Sequence, residues 1–339
     1  MLRRHNMRPD KIVSKAPGKL VVLGEYAVIN GSPSMVLAIN RYCHAKITSS
    51  DDAFSRMIAR TTKDQEVKFG KGEISGFQVV DTVSRFFPKG KICSALIDSS
   101  QLFDSGMKVG LGSSAAALTA WAGAWAAFSD NEFLAADGVV LRKLIGMHRM
   151  IQGGSGSGID VAASLYGGVI TFQLDGLREP HVSSVQLPKG VEFAGVFTGS
   201  AANTINYLKC YREWCEEAPS KAENQQTKMA DIAQVGISAC KANNAEVFLR
   251  SISEYSRCLE ALGNSMGTEI FTPAHRHLQI TANDLGVSYK ASGAGGGDMG
   301  LAFSSDSDVL EQFKKKASKN HKVLDLKIAE KGLAVEMIT

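Results

Sequence analysis

The stretch Met107–Phe128, MKVGLGSSAAALTAWAGAWAAF, sets a glycine–serine loop against an unbroken run of Ala, Trp and Leu. The run predicts a buried helix, because it has high helix propensity and no polar face. The loop before it, Gly110-Leu111-Gly112-Ser113-Ser114, admits two readings. A glycine turn capped by serine accounts for the spacing. So does an anion cradle, in which glycines let the backbone approach a ligand and the helix start points unpaired N–H groups and its positive dipole end at it. No Lys follows the second glycine, so this is not the GxxxxGK[ST] pattern.

Working outward, alternating or continuous Val, Ile and Leu in KIVSKAPGKLVVLGEYAVING and SMVLAINRYCHAKITSS predict strands, and QEVKFG is short and strand-like. SGFQVVDTVSRFF drifts to helical spacing. Helices are expected over 131–151 and from IDVAASLYGG, with the Gly/Ser cluster QGGSGSG between them. GVITFQLDG closes a first half, and the polar segment 176–190 is the best connector. The second half opens on the strand VEFAGVFTG. Helical patterns fill 203–263, broken near EEAPSKAEN. A further helix starts at Thr272 as N-cap with Pro273 at its first position. VSYKASGAGGGDMGLAFSS reads as strand, glycine loop, strand; a helix with basic residues toward its end and final strands follow. The expected class is α+β, with an arm over 1–10, one domain over 11–180 and a second over 190–339.

Two more loops bear on chemistry. Ser292-Gly293-Ala294-Gly295-Gly296-Gly297-Asp298 holds more small residues than a hairpin turn needs, although a flexible hairpin or a bulge remains open. In GGSGSGID, Asp160 heads a helix, where a carboxylate is a common cap but also suits a cleft that handles a substrate hydroxyl. Two anion loops and one such carboxylate together point to phosphoryl transfer, in which positioning and charge neutralisation are the main tasks.

Composition narrows the alternatives. The 339 residues are 44% hydrophobic and 21% charged, as in folded domains, and the net charge of +4 is mild. No basic–aromatic stripe suggests a nucleic-acid partner. The basic, polar MLRRHNMRPDK has no apolar core behind it and is not read as a secretory signal. The longest apolar run, Ala115–Phe128, is too short to span a bilayer. Six cysteines lie scattered without CxxC pairs, as expected of reduced thiols in a cytoplasmic protein. Seven histidines show no metal-ligand spacing; His275 and His277 are two apart and diverge on a helix.

Three segments in order resemble the motifs of the GHMP small-molecule kinases: KAPGKLVVLGEYAVINGSPSMVLAI (15–39), KVGLGSSAAAL (108–118) and KASGAGGGDMGLAF (290–303). They bracket nearly the whole chain. GEYAV at 24–28, Lys108 and the Gly297-Asp298 close of the third loop are most similar to the phosphomevalonate branch. So are QGGSGSGIDVAASLYGG (152–168) and FAGVFTGSAANT (193–204). Where mevalonate kinases usually carry a magnesium-binding Glu before the catalytic Asp, this chain reads GMHRMIQG, with His148 and Arg149.

The resemblance implies a ribosomal-protein-S5-domain-2-like N-terminal domain and a ferredoxin-like C-terminal domain with the site between them. It implies ATP and Mg2+, phosphomevalonate as a small-molecule substrate, no nucleic-acid or membrane partner, and a monomer or homodimer. Asp160 and Lys19 take the catalytic roles. Lys108, Gly110, Leu111, Gly112, Ser113, Ser114 and Ala115 hold the ATP phosphates, with Ser113 or Ser114 on the metal. Glu25, Tyr26, Ser157, Gly158, Ser200, Asn203, Thr204, Lys290, Ser292, Gly293, Ala294 and Gly295 lie on the substrate side. The competing expectations are another member of the family (a mevalonate kinase, a sugar kinase or the related decarboxylase) or a metabolite-binding regulator without catalysis.

Overall fold

The computed structural model describes residues 11–87, 91–129, 139–154, 156–176 and 179–338. In the first half, β1 (Lys11–Leu23) and β2 (Ser34–Ser49) form a long antiparallel pair joined through a 3-10 turn at Ala27–Asn30. After β3 (Ser55–Arg60) and β4 (Asp64–Phe69) come α1 (Gln78–Phe86) and β5 (Cys93–Asp98). The short hairpin β6 (Phe103–Asp104) and β7 (Met107–Lys108) leads into α2 (Ser113–Phe128). Then follow α3 (Val140–Ile151), α4 (Ile159–Tyr166), β8 (Val169–Gln173) and β9 (His181–Val185). The expected helix over 131–151 is present from Val140, with Val139 as its N-cap; residues 131–138 lie outside the described ones.

The second half contains β10 (Glu192–Phe197), α5 (Thr204–Glu217), α6 (Pro219–Lys241), α7 (Ala245–Ser265) and α8 (Pro273–Asn283). It continues with β11 (Ser288–Ser292), β12 (Met299–Ser304), α9 (Ser307–Ala317), β13 (Lys322–Leu324) and β14 (Ala334–Ile338). Pro219 breaks the 203–263 helical stretch, starting α6 at its first turn. Thr272 caps α8 as its spacing predicts, its hydroxyl accepting the His275 N–H.

Two sheets result. The larger runs β14-β1-β2-β5-β3-β4, with β8 and β9 branching from the first part of β2. The smaller, β11-β12-β10-β13, is antiparallel throughout, with α7, α8 and α9 packed against it. Two expected boundaries need correction. β9 falls inside the supposed connector, because its alternating residues pair with β8, so the first unit extends to Val185. The chain end is not part of the second unit: β14 returns to edge β1, and Ile328 bridges Ile39.

Helix α2 is buried almost all round, as its sequence demands. It packs on β1 and β2, while Gly123 admits the Leu333 side chain, to which a Cβ there would come within 2.9 Å. Trp121 and Trp125 stack with centroids 5.5 Å apart, and the Trp125 indole donates to the Phe87 carbonyl at 3.0 Å. Buried apolar side chains run through both sheets as one continuous core.

The halves are also pinned by polar contacts. Tyr255 on α7 donates to the Glu25 carbonyl at 2.8 Å, Ser292 on β11 to the Val21 carbonyl at 3.0 Å, and Tyr26 to the Ala294 carbonyl at 2.5 Å. The glycine loops of the two halves therefore face each other across one cleft.

Candidate active site

The cleft encloses about 1020 Å³ of empty space, part of it open to solvent. One wall is the loop before α2. Strand β1 runs under it so closely that a Cβ on Gly18 would stand 2.5 Å from the Leu111 carbonyl; with glycine there, the Lys19 N–H reaches that carbonyl at 2.8 Å. The aliphatic part of the Lys19 side chain lies on Gly112, and its ammonium has no partner within hydrogen-bond or ion-pair distance among the described residues. Gly110 has φ +76 and faces Asp298, whose Cβ would be 2.4 Å from one added at Gly110. A residue with a side chain is excluded there on both counts. The opening loop is thus more than a turn: its glycines admit a lysine and an aspartate from distant segments.

Asp160 lies in the first turn of α4, after Gly158 at φ +89. Its Oδ1 accepts the Val161 N–H at 3.1 Å and stands 3.8 Å from Nδ1 of the buried His148 on α3. Burial pushes the Asp160 carboxyl up; the charges of His148 and Lys19 and two backbone N–H groups outweigh it, so the group titrates below the ordinary aspartate range. At physiological pH it is an anion.

The third loop brings its own charge. Asp298 has φ +55, an uncommon conformation for a residue with a side chain. Its N–H donates to the Ser200 carbonyl at 2.7 Å, its carbonyl accepts from the Thr198 N–H and hydroxyl at 3.0 Å, and Oδ1 accepts the Ala202 N–H at 3.0 Å. Burial raises its pKa, and Ala202, Lys19 and Lys108 offset only part of that rise. Behind it, His275 Nε2 meets the Gly297 carbonyl at 2.9 Å and Nδ1 meets the Tyr289 hydroxyl at 2.7 Å. A carbonyl only accepts, so Nε2 carries the hydrogen and Nδ1 accepts from Tyr289. Burial lowers the His275 pKa to about 4, keeping the ring neutral.

The cleft gathers Lys19, Lys108, Gly110, Gly112, Ser114, Ser157, Asp160, Glu25, Tyr26, Thr204, Ser292, Gly293 and Ala294 from the expected set. Others take structural positions instead. Leu111, Ser113 and Ala115 are buried under the loop, leaving Ser114 as the hydroxyl that faces the cleft. Gly158 packs on Ile145 and Gly295 on Ile270, where a Cβ would stand 2.4 Å from each neighbour. Ser200 supports Gly297 and Asp298 through its carbonyl, and the Asn203 side chain caps α5 by accepting the Asn206 N–H.

Lys290 is the main correction. It is fully buried, and its ammonium donates to Glu25 Oε1, to the Ala291 carbonyl at 2.6 Å and to the Val21 carbonyl at 3.4 Å. With all three donors engaged it cannot reach a substrate. Burial pulls its pKa down, and the neighbouring Glu25 carboxylate works against that fall. Glu25 also accepts the Gly293 N–H at 3.3 Å, while its Oε2 is buried without a partner.

Sequence reasoning left Asp298 and His148 out of the site. Asp298 had a signal, the lone acid after three glycines; His148 had only its place before the Gly/Ser cluster. Among the described residues there is no group of three or more His, Cys, Asp or Glu able to hold a metal, and no helix is long and apolar enough to cross a membrane. All six cysteines are free.

A glycine–serine loop at a helix start, with unpaired lysines and a charged aspartate beside it, suits the handling of phosphate groups. The relatives agree. A phosphomevalonate kinase from Streptomyces sp. (strain CL190) is 30% identical, over 86% of this chain and 89% of its own. A mevalonate kinase from Pyrococcus abyssi is 27% identical, over 85% and 87%. No family model matches the chain. Among solved structures, the Streptococcus pneumoniae phosphomevalonate kinase in complex with phosphomevalonate and AMPPNP superposes with TM-score 0.79 at 20% identity, over 93% of this chain and 99% of that one. Lin0012 from Listeria innocua does so with TM-score 0.85 at 24% identity, over 96% and 99%. The chain belongs to the GHMP kinase superfamily, is most like its phosphomevalonate kinases, and has the family's two-domain fold.

Proposed function

We propose that this kinase transfers the γ-phosphoryl group of ATP to the phosphate of 5-phosphomevalonate, giving the diphosphate. The observation that carries this reading is the pair Lys19 and Lys108, two cleft lysines without an ion-pair partner among the described residues, beside the Gly110–Ser114 loop. Bringing a phosphate acceptor to ATP sets anion against anion. One unit-charge pair at 4 Å costs roughly 4 kcal/mol at an effective dielectric of 20, so cations are the first requirement. The 30% identical relative is itself a phosphomevalonate kinase.

The residues divide the work by position. Backbone N–H groups at the start of α2 hold the nucleotide phosphates, with Lys108 at the loop mouth. Lys19, whose charge acts on both Asp160 and Asp298, lies between the acceptor side and the nucleotide side. Asp160 orients the acceptor; a phosphate acceptor is already anionic and needs little deprotonation. Tyr26, Val28, Ile29 and Leu208 line an apolar recess for its carbon skeleton. The cleft-lining oxygens near the loop, the Ser114 hydroxyl and the Asp298 carboxylate, are hard ligands of the kind magnesium takes. When bound with ATP, Mg2+ neutralises phosphate charge.

A coupled assay of ADP release across phosphomevalonate, mevalonate, homoserine and galactose tests the reading. Phosphomevalonate should exceed every other acceptor in kcat/KM. Preference for mevalonate, which the Pyrococcus relative makes the second reading, would overturn the acceptor assignment and keep the kinase. Tight ATP binding without turnover of any acceptor would point to a regulator.

A further inference from the structure

Among the described residues three carboxylates line the cleft, and Asp298 is the one packed against Gly110 of the nucleotide loop. Glu25 Oε1 is held by Lys290, and its Oε2 is sealed from solvent. Asp160, on α4, has its Oδ1 taken by the Val161 N–H and set against His148. Asp298 differs from both. Its backbone is fixed by Thr198 and Ser200, its Oδ1 accepts the Ala202 N–H, and the carbonyl before it is held by His275. Those contacts use Oδ1 and leave Oδ2 without a hydrogen bond among the described residues. Oδ2 is turned toward Gly110, at 2.7 Å from where a Cβ would stand.

A carboxylate aimed at a phosphate loop makes no sense as a phosphate ligand, since the two repel. Nor does it form an ion pair: among the described residues no cation lies within 4 Å of it, although Lys19 and Lys108 are close enough to be felt. The carboxylate is therefore left without a direct counter-charge, on a left-handed backbone uncommon for a non-glycine residue. A hard dication between the carboxylate and the phosphates resolves both problems. Magnesium is characteristically held this way, by one or two carboxylates together with substrate phosphate oxygens.

We propose that Asp298 is the protein's carboxylate ligand for the divalent cation that accompanies the nucleotide phosphates, with the Ser114 hydroxyl on the same side of the cleft. The inference rests on the nucleotide-loop reading above, and not on which acceptor is used.

The test measures metal binding without turnover. Mn2+ serves as the probe, and free Mn2+ is followed by electron paramagnetic resonance in the presence of AMPPNP and no acceptor. Asp298→Asn keeps an oxygen for the Ala202 N–H and tolerates the left-handed backbone, so it removes little but charge. It should weaken Mn2+ binding to the protein–AMPPNP complex at least about tenfold, the low end for losing a group that supports a metal. In EDTA, binding of metal-free AMPPNP should be unchanged or tighter, because an anion beside the phosphates is gone. Asp298→Gly, which suits the backbone better still, should lose Mn2+ to the same degree. Unchanged Mn2+ affinity in both variants overturns the inference, as does an equal loss of metal-free nucleotide binding. If the unaltered protein binds no AMPPNP with or without metal, the nucleotide-loop reading falls and takes this inference with it.

Discussion

Replacing Lys290 by methionine should be among the most destabilising single changes in the chain. The Lys290 ammonium donates to Glu25, Ala291 and Val21 and is fully buried, while the Glu25 side chain is 3% exposed. Methionine fills most of the volume, so a cavity contributes little. What remains is a buried carboxylate with one long hydrogen bond, from the Gly293 N–H at 3.3 Å, and an Oε2 that already lacks a partner. Breaking a buried pair from one side costs about 3–5 kcal/mol, whereas replacing both members by apolar groups is often near neutral. Equilibrium urea unfolding, followed by the tryptophans of α2, measures it. Lys290→Met and Glu25→Gln should each lose stability, Lys290→Met by about 3–5 kcal/mol, and the double variant should lose far less than the sum. A loss below about 1 kcal/mol for Lys290→Met, or strict additivity, would refute the account of a charge pair sealed between the halves. An effect on acceptor KM with unchanged stability would restore Lys290 as a substrate contact.

Three further outcomes follow from the geometry. Asp160→Asn and Lys19→Met should each lower kcat by more than about 100-fold with circular dichroism unchanged, the scale of removing a group that stabilises transition-state charge; near-normal turnover removes the residue from the catalytic list. Gly110→Ala sets a Cβ 2.4 Å from the pinned Asp298 at φ +76, and a displacement of about 1 Å in such a site costs about 100-fold in rate. Gly106→Ala in the β6–β7 turn, at φ +87 with nothing within 4 Å, carries only local strain and should leave kcat near normal; equal rates for the two variants would sink the role of close approach. His275 has a pKa of about 4 in the fold and about 6.5 when unfolded, so the unfolded chain binds the extra proton between those values. Its contribution is fully present above pH 6.5 and fades as pH falls toward 4, by about 3 kcal/mol in all; urea midpoints over that window should show the slope, and His275→Gln should flatten it.

What was legible in the sequence, and what was not, follows from how far each constraint reaches along the chain. The buried α2, the Thr272 cap and the Pro219 break are local, written within a few residues of where they act. The Gly110–Ser114 loop announced closeness to something, but its partners Lys19 and Asp298 are nearly a hundred and nearly two hundred residues away. Strand β14 on β1 and the Ile328–Ile39 bridge were equally hidden, because edge pairing depends on which edge is free once the sheet has formed.

Charged residues show the same limit most sharply. Lys19 and Lys290 each sit in a β-strand next to a small residue, Gly18 in one case and Ala291 in the other, and the local sequence does not separate them. Folding separates them through their neighbours. Lys19 crosses Gly112 into the cleft, where no described side chain pairs directly with its ammonium. Lys290 points across the interface between the halves and meets Glu25. A lysine with every donor engaged ties the strand before the third loop to β1 and Glu25. A lysine with none engaged among the described residues is the one we propose meets the phosphates. Both are needed, because the unpaired charge acts at the right place only if the loops that flank it are fixed by the paired one.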